Sequence, residues 1–407
     1  MKARMFVCVL VIFVFGISAQ YGITDDYDWP RWRGPNGNGI SMETDWDPIA
    51  LAGGPKILWE ADIGSGHSNV AIKDNRLYTM GSRTVVCLNA ETGKEIWEYS
   101  FERSCRAYST PTIDDKYVYV LNSEGVLVCL KAKNGKLKWE RDLMDEFKTE
   151  KIPYGYAGSP VIEGDLIILN VNTAGIALDK KTGDLIWASD IHTDKVNREG
   201  YHTTPVLYDH EGKRCTLLFS GTGLSLVEVK GGKQLWFYEW GRTHTANCAD
   251  PIVIEDKVFI SAGYMVKKGT LLEITGNVPR VVWENENMGN EFSACVYVGG
   301  YLYGSNGDHA KPCQFRSIDV NTGDAMWEKK MKMASLVAAD GKLIILEEDG
   351  ILHIAKATPS SYQEISSCDV FDGELAIRQF FTPPVLYKGK IYCRNYNGEL
   401  ICIDVSN

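Results

Sequence analysis

The sequence predicts an all-β fold, an eight-bladed β-propeller built from four-stranded antiparallel blades. Two recurring phrases predict it: a Thr-Gly turn followed by a strand that ends in Trp, and a Ser/Thr-x-Pro segment that opens a strand. The first phrase recurs with Trp at steps of 38 to 49 residues, and the second recurs eight times after residue 55. Both give a period of about 44 residues, which is the size of a four-stranded propeller blade.

The Trp phrase predicts the third and fourth strands of each blade. Clear copies span Cys87–Trp97, Cys129–Trp139, Ala177–Trp187 and Ser317–Trp327, and weaker copies end at Trp236 and Trp283. In each copy a short apolar strand leads into a turn where Gly provides a positive φ, and the hairpin returns to Trp. Because an indole ring is so large, we expect each Trp to fix its strand against the next blade.

The Pro phrase predicts the first and second strands. Clear copies begin at Ser109, Gly158, Thr203, Ala249 and Thr382, and degenerate copies begin at Ser68, Ser293 and Ser335. Each is followed by an apolar strand, an acidic turn and a further apolar strand. A four-stranded sheet cannot bury both of its faces alone, so neighbouring sheets are expected to pack face to face around a ring.

The two ends of the chain are predicted to share the last blade. The phrase Asn397–Asp404 supplies a third strand. The half-phrase Lys56–Ala61, which contains Trp59, matches the missing fourth strand. Blade seven has Ser361–Ile365 where the other blades have Trp.

The N-terminal 55 residues precede the repeats and divide into two predicted parts. Residues 1–19 resemble a secretory signal peptide, with Lys2 and Arg4 before the apolar run Met5–Ile17. That run is short for a membrane span, although an uncleaved anchor is the alternative. Residues 20–55 form an arm whose Trp and Arg residues clasp the propeller rim, or bind a partner. The protein is therefore expected to be secreted or periplasmic, with no transmembrane segment after removal of the signal.

The net charge and the positions of the cysteines limit the classes of partner and metal site that the sequence predicts. The chain carries 53 acidic and 43 Lys or Arg residues, a formal charge of −10, which argues against nucleic acid. Cys87, Cys129 and Cys402 recur in apolar strand phrases and are expected to be small buried residues. Because no Cys/His cluster has zinc spacing, no metal site is predicted. We expect a monomer.

The blade phrase resembles the quinoprotein-type, PQQ-like β-propeller repeat, and Trp29–Ser41 resembles the N-terminal signature of secreted bacterial proteins of that group. The resemblance covers essentially the whole mature chain and implies the eight-bladed fold. It implies two functions: quinoprotein dehydrogenases bind pyrroloquinoline quinone and calcium in the channel, whereas scaffold members bind protein segments without a cofactor. The dehydrogenases are usually longer, and many carry a vicinal Cys pair, which this chain lacks.

A ligand is expected at the channel mouth, where the loops leading into the innermost strands converge. Counting back from each Pro phrase gives a ring of candidate ligand-binding residues: His67, Arg106, Tyr108, Tyr156, Tyr201, His202, His244, Asn247, Glu291, Arg378 and Gln379, with Tyr154, Asp250 and Asn290 beside them. A single metal shared by His67, His202 and His244 is disfavoured, because blades one and four lie far apart around the ring. The segment Ser305–His309 has oxygen ligands but lacks the frame of a calcium loop, and it is interpreted as an inter-strand loop.

Three functions remain open from the sequence. In the first, the protein is an exported interaction scaffold, and its mouth is either a water-filled polar channel or a pocket for a small polar or carbohydrate ligand. The alternatives are a short dehydrogenase that uses pyrroloquinoline quinone with calcium, and a carbohydrate-binding or carbohydrate-processing propeller. Catalytic residues, and whether the protein is an enzyme, are not assigned.

Overall fold

The fold is an all-β propeller of eight blades, seen in a computed structural model. The structure describes residues 27–147, 154–171, 174–189, 202–241, 246–276, 278–309, 312–371 and 379–407. The predicted signal peptide therefore lies outside the described residues. No helix in these ranges is long and apolar enough to cross a membrane.

The chain begins with two strands that belong to the last two blades, and then forms blades one to four in order. The first two strands are β1 (Ile40–Ser41) and β2 (Ile57–Asp62). Blade one has β3 (Ala71–Lys73), β4 (Arg76–Met80), β5 (Thr84–Asn89) and β6 (Glu95–Ser100). Blade two has β7 (Thr112–Ile113), β8 (Tyr117–Leu121), β9 (Val126–Lys131) and β10 (Leu137–Asp142), followed by the short helix α1 (Leu143–Phe147). Blade three has β11 (Val161–Glu163), β12 (Leu166–Leu169), β13 (Ile176–Asp179) and β14 (Leu185–Ala188). Blade four has β15 (Val206–His210), β16 (Lys213–Phe219), β17 (Gly223–Glu228) and β18 (Gln234–Glu239).

Blades five to eight continue the pattern. Blade five has β19 (Ile252–Ile254), β20 (Lys257–Ala262), β21 (Lys268–Glu273) and β22 (Arg280–Asn285). Blade six has β23 (Val296–Val298), β24 (Tyr301–Asn306), β25 (Cys313–Asp319) and β26 (Ala325–Met331). Blade seven has β27 (Ala334–Ala339), β28 (Lys342–Glu347), β29 (Ile351–Lys356) and β30 (Glu364–Asp369). Blade eight has β31 (Val385–Leu386), β32 (Lys390–Arg394) and β33 (Glu399–Asp404). Within each blade the strands pair antiparallel in chain order.

The Trp phrase forms the predicted outer hairpin. Trp97 lies opposite Cys87, and a β-bulge follows as the strand approaches the Gly93 turn. Gly93 has a φ of +68°, in the left-handed region. In blade seven the bulge places Ser366, opposite Ile354, where the other blades have Trp. The sequence predicts Ser361–Ile365 at that place. The structure has Ser366 there, one residue beyond the predicted segment, because this degenerate copy of the phrase has no Trp to mark the position.

Except for Trp236, the indoles of the phrase each donate a hydrogen bond to the next blade. The Trp97 Nε1–H donates to the carbonyl of Ala132 in blade two (2.9 Å), and Trp139 donates to Lys180 in blade three (3.3 Å). A Cβ on Gly135 would lie 2.5 Å from the Trp97 ring, so the indole packs on the bare turn of the following blade. The Gly of the phrase thus serves both the turn and the contact between blades.

The ring closes as predicted, by pairing the first and last strands. β2 runs antiparallel to β33 and completes blade eight, with Trp59 opposite Cys402. The Trp59 Nε1–H donates to the carbonyl of Ala90 in blade one (3.0 Å), which continues the series of indole contacts across the closure. Closure therefore reuses the contact that joins the other blades.

A buried arginine reinforces the closure. Arg394 of blade eight is 2 % exposed and donates to the carbonyl oxygens of Met80 (3.0 Å) and Gly66 (3.0 Å). It also donates to the hydroxyl of Thr79 in blade one (3.1 Å). Burial lowers the pKa of its guanidinium to about 9. The side chain ties blade eight to blade one through neutral acceptors.

The arm crosses one end of the ring, where the first and second strands of the blades turn. Trp29 forms an antiparallel bridge with Ile72 in blade one, and the carbonyl of Pro30 accepts from Ile113 in blade two. β1 pairs parallel with β27 of blade seven. The Glu43 carboxylate accepts from the backbone N–H of Lys388 in blade eight (2.7 Å). These contacts place the arm along four consecutive blades, from blade seven through the closure to blade two.

Candidate functional site

A cavity occupies the end of the channel opposite the arm. Its volume is about 420 Å³, in the range of small-molecule pockets. The loops that lead into the innermost strands line it, and they come from seven blades. The lining residues are Trp32, His67, Tyr108, Tyr154, Ala157, Ser159, His202, Thr204, Ala246, Cys248, Asp250, Tyr264, Glu291, Phe292, His309, Phe381 and Thr382.

The arm supplies the floor of this cavity. The Trp32 indole donates to Asp250 Oδ2 (2.6 Å), and Asp250 Oδ1 accepts from the N–H of Thr204 (2.7 Å). Blade one, bridged by Trp29, and blade five, which carries Asp250, face each other across the ring, so the few residues between the two indoles must span the channel. Trp32 therefore closes the channel from the arm side and leaves the cavity with its mouth at the other end.

The arm is held in this position by a second buried arginine. Arg33, 2 % exposed, donates to the carbonyl oxygens of Ala294 and Cys295 in blade six, both at 2.9 Å. Burial lowers the pKa of Arg33, and burial raises the pKa of Asp250 despite the nearby Arg33 charge. Gly34 next to it has a φ of +80°, and a Cβ there would lie 2.8 Å from the Trp29 ring. Where the arm passes across the channel, Trp32, Arg33 and Gly34 each therefore have a distinct role: the indole contacts Asp250, the guanidinium holds blade six, and the glycine leaves room for Trp29.

One wall of the cavity is aromatic. The His67 ring is stacked on Tyr108, with centroids 5.9 Å apart, and lies 5.1 Å from Phe381 and 4.9 Å from Tyr396. Burial, with the Arg394 charge, lowers the pKa of His67 to about 4. His67 is therefore neutral at neutral pH and acts as part of a flat aromatic surface rather than as a cation.

An acid–histidine cluster adjoins the aromatic wall, since the His309 ring lies 5.8 Å from Phe381 and 5.3 Å from Phe292 between ring centroids. Glu291 Oε1 lies 2.8 Å from His309 Nδ1, and Glu291 Oε2 accepts from the backbone N–H of His309 (2.7 Å). Asp308 Oδ1 lies 3.4 Å from the same ring nitrogen. Burial raises the pKa of Glu291 in spite of these contacts. The cluster joins the loop before β23 to the loop between β24 and β25.

Four of the candidate ligand-binding residues line the cavity, namely His67, Tyr108, His202 and Glu291, and so do Tyr154 and Asp250, which the sequence places beside them. Two others border it. Arg106 is exposed and donates to the Tyr108 hydroxyl (3.2 Å), and the carbonyl of Gln379 accepts from Tyr396.

Two expected residues point elsewhere, which corrects the sequence interpretation. Tyr156 is fully buried in the core between blades two and three, where it packs with Tyr119 and Leu178. Asn247 is fully buried and donates to the carbonyl of Ser220 (2.8 Å). Sequence position fixes which loop a residue occupies, but not which side of that loop its side chain takes. Tyr201, His244 and Arg378 lie outside the described residues.

Several lining residues are not among those expected from the sequence. Phe292 and Phe381 lie next to the Pro phrases that located the loops, so the same count could have included them. His309 ends the Ser305–His309 segment, which the sequence predicts as an inter-strand loop and which runs from the end of β24 into the loop before β25. No pattern in the sequence indicates that Trp32, well before the repeats, enters the channel. That placement depends on the path of the arm across the ring.

Comparison with known proteins agrees with this architecture. Residues 50–201 and 106–328 match the family model described as "Outer membrane protein assembly factor BamB". The assembly factor BamB of Yersinia pestis is 23% identical over 380 residues, which cover 84% of this chain and 87% of that protein.

Quinoproteins are also similar. Quinohemoprotein alcohol dehydrogenase ADH IIB of Pseudomonas putida is 34% identical over 152 residues, which cover 32% of this chain and 21% of that enzyme. The crystal structure of the quinohemoprotein alcohol dehydrogenase from Comamonas testosteroni superposes with a TM-score of 0.71 at 11% identity, covering 93% of this chain and 80% of that one. At that identity the superposition supports the fold alone.

Proposed function

Because the chain belongs to the family of outer membrane protein assembly factor BamB, we propose that it is an exported binding scaffold of the cell envelope. Its ligand, a segment of a partner protein or a small polar molecule, enters the channel mouth. The proposal requires no catalysis. The family relatives are named as assembly factors, which supports a role in protein interaction.

One observation carries the proposal: the arm closes one end of the channel, and side chains from seven blades converge on the cavity at the other end. A channel whose polar side chains served only to hydrogen-bond the backbone at the strand ends would not need a segment that forms a floor. The Trp32–Asp250 contact builds one from a segment outside the repeats. The result is a pocket with Trp32 in its floor and both aromatic rings and carboxylates in its lining, which suits an occupant with both apolar and polar groups.

Site-specific photocrosslinking in the native cell tests the proposal. A photoreactive residue at Tyr154, which is 59% exposed at the mouth, should crosslink one discrete partner. The same residue at Ile49, 62% exposed in the arm, is the matched control and should not. A second substitution, Ala157→Trp, fills the cavity and should abolish the Tyr154 crosslink. Equal crosslinking from both positions, or a crosslink that survives Ala157→Trp, would contradict the proposal.

A small ligand is tested separately. Purified protein screened by thermal shift against glycans and amines should show a stabilising compound that Ala157→Trp no longer binds. Binding of a glycan would favour the carbohydrate alternative, since sugar rings stack on aromatic faces. If neither the screen nor the crosslink gives a cavity-dependent signal, the cavity is not a binding site.

A dehydrogenase is the second candidate, favoured by the 34% identity to the quinohemoprotein alcohol dehydrogenase over 152 residues. Pyrroloquinoline quinone is a tricarboxylate and would need positive charge. The described lining offers Asp250 and Glu291 but neither Lys nor Arg, so it is a poor match for that anion. Dye-linked alcohol oxidation after addition of the quinone and calcium would support this candidate over the scaffold.

A further inference from the structure

We propose that Glu291, Asp308 and His309 form a binding site for one divalent transition-metal ion in the wall of the cavity. The three side chains place a carboxylate oxygen, a second carboxylate oxygen and an imidazole nitrogen within 4.8 Å of one another. The site is independent of the proposed partner, and its test does not require one.

The two distances to the His309 ring are close to the spacing of neighbouring ligands around a metal, and the two carboxylate oxygens lie within 4.8 Å of each other. His309 Nδ1 lies 2.8 Å from Glu291 Oε1 and 3.4 Å from Asp308 Oδ1. Metal–ligand bonds of about 2.1 Å at angles between octahedral and tetrahedral separate neighbouring ligand atoms by about 3.0–3.4 Å. Small rotations of the two carboxylates would bring all three atoms to bonding distance of one ion.

The carboxylates are oriented from behind, as metal ligands usually are. Glu291 Oε2 accepts from the N–H of His309 (2.7 Å), and Asp308 Oδ2 accepts from the N–H of Met265 (3.4 Å). The other oxygen of each carboxylate faces the same ring nitrogen. A hydrogen-bonded Glu–His pair would account for Glu291 alone, but it does not require that Asp308 also converge on Nδ1.

The exposure of the three groups leaves room for a further ligand. The Glu291 and Asp308 side chains are 1% and 7% exposed, whereas His309 is 35% exposed and lines the cavity beside Phe292. An ion held by the three groups would therefore present open coordination positions to the cavity. The mixed nitrogen and oxygen donors favour zinc-like ions over calcium, which prefers oxygen alone.

Metal titration of the untagged, chelator-treated chain tests the site. One equivalent of Zn²⁺ should bind by calorimetry, and Co²⁺ alone should give a visible d–d spectrum that Zn²⁺ abolishes. Asp308→Asn and His309→Ala should each weaken Zn²⁺ binding at least tenfold. His210→Ala, at a histidine in blade four outside the cavity, should stay within twofold.

Several outcomes would overturn the proposal. The first is the absence of stoichiometric Zn²⁺ binding. The second is an affinity for Zn²⁺ in Asp308→Asn and His309→Ala that equals that of the wild type. The third is a loss of affinity in His210→Ala as large as in those two variants. Asp308→Asn keeps the size and hydrogen bonds of the side chain, so it separates loss of a ligand from misfolding should His309→Ala melt at a lower temperature. Loss of the Tyr154 crosslink would leave this result unchanged, so the two proposals fail independently.

Discussion

At the scale of single residues, the molecule relies on a few buried charges that satisfy backbone groups. Arg33 holds the arm and Arg394 holds the ring closure, and each donates to carbonyl oxygens rather than to a carboxylate. A buried guanidinium without an anion costs desolvation energy, and several hydrogen bonds must offset it. Such residues stabilise the fold only together with the acceptors that surround them.

Arg394→Met should therefore lower the free energy of unfolding by about 3 kcal/mol, because several carbonyl groups of blade one lose their donor. Denaturant unfolding measures the change. Arg280→Met is the control, since Arg280 is 71% exposed and pairs with Glu273 at the surface. Its effect should stay below about 0.5 kcal/mol. Equal effects of the two substitutions would remove the assigned role of Arg394.

His353 should make stability depend on pH. Its ring nitrogens lie 2.8 Å from Glu347 and Glu364. Burial opposes the charged ring, but these two hydrogen bonds outweigh burial and raise the pKa of His353. A raised folded-state pKa gives stability that is fully present below the unfolded value of about 6.5 and is lost as the pH rises through the folded value.

The stability difference between wild type and His353→Gln should accordingly shrink as the pH increases above 6.5. Thermal melts across that range measure it. The carboxylate Glu364 has a lowered pKa, because burial is outweighed by its bonds to His353 and Tyr362. Its contribution is lost at acidic pH, below about 4.5. A difference that stayed constant with rising pH would contradict the assignment.

At the scale of the element, the outer hairpin of each blade is also the contact with its neighbour. The Gly of the turn has to be a glycine for two reasons, its positive φ and the indole packed against it. Gly135 has both features, with a φ of +67°, whereas Gly212 has a φ of +75° and open space around it. A comparison of substitutions at Gly135 and Gly212 therefore distinguishes the cost of backbone strain from the cost of a lost contact between blades.

Gly135→Ala should destabilise the protein by about 3 kcal/mol and change the Trp97 fluorescence, because the new methyl group displaces the ring. Gly212→Ala should cost about 1 kcal/mol, from backbone strain alone. Chemical denaturation gives both values. If the two substitutions cost the same, the indole does not pack tightly on the turn.

At the scale of the whole molecule, blade eight differs from the others because no turn joins β2 to β33. Trp59→Ala and Trp139→Ala each remove an indole that donates to the next blade. In the first variant, β2 is held only by its hydrogen bonds, so amide exchange in Glu399–Asp404 should increase. In the second, the Asn134–Gly135 turn keeps β10 in place, and exchange in Val126–Lys131 should change little. Hydrogen–deuterium exchange with mass spectrometry measures both segments.

Equal acceleration at the two strands would mean that the closing blade is no weaker than the others. A larger increase of exchange in Val126–Lys131 than in Glu399–Asp404 would contradict the proposed role of the turns. The comparison is matched, since both indoles occupy the same place in the repeat.

The local phrases of the sequence determine the ring. The period, the hairpin turns and the Trp positions follow from them, because each is set by hydrogen bonding and packing within about 44 residues. The pairing of Lys56–Ala61 with the last strand follows too, because the two half-phrases at the ends of the chain complete one repeat. The Pro phrases also indicate which loops form the mouth, and the residues His67, Tyr108, His202 and Glu291 of those loops line the cavity.

Tertiary structure alone decided which side chains of those loops face the cavity, why Tyr156 and Asn247 do not, and how Trp32 forms the floor. It also brought His309 against Glu291, and Arg394 against blade one. The Trp32 and Arg394 contacts join segments far apart in the chain, and the Glu291–His309 contact joins two loops of one blade. A repeat pattern records how each blade packs on its neighbour, but it carries no information about what meets at the axis of the ring.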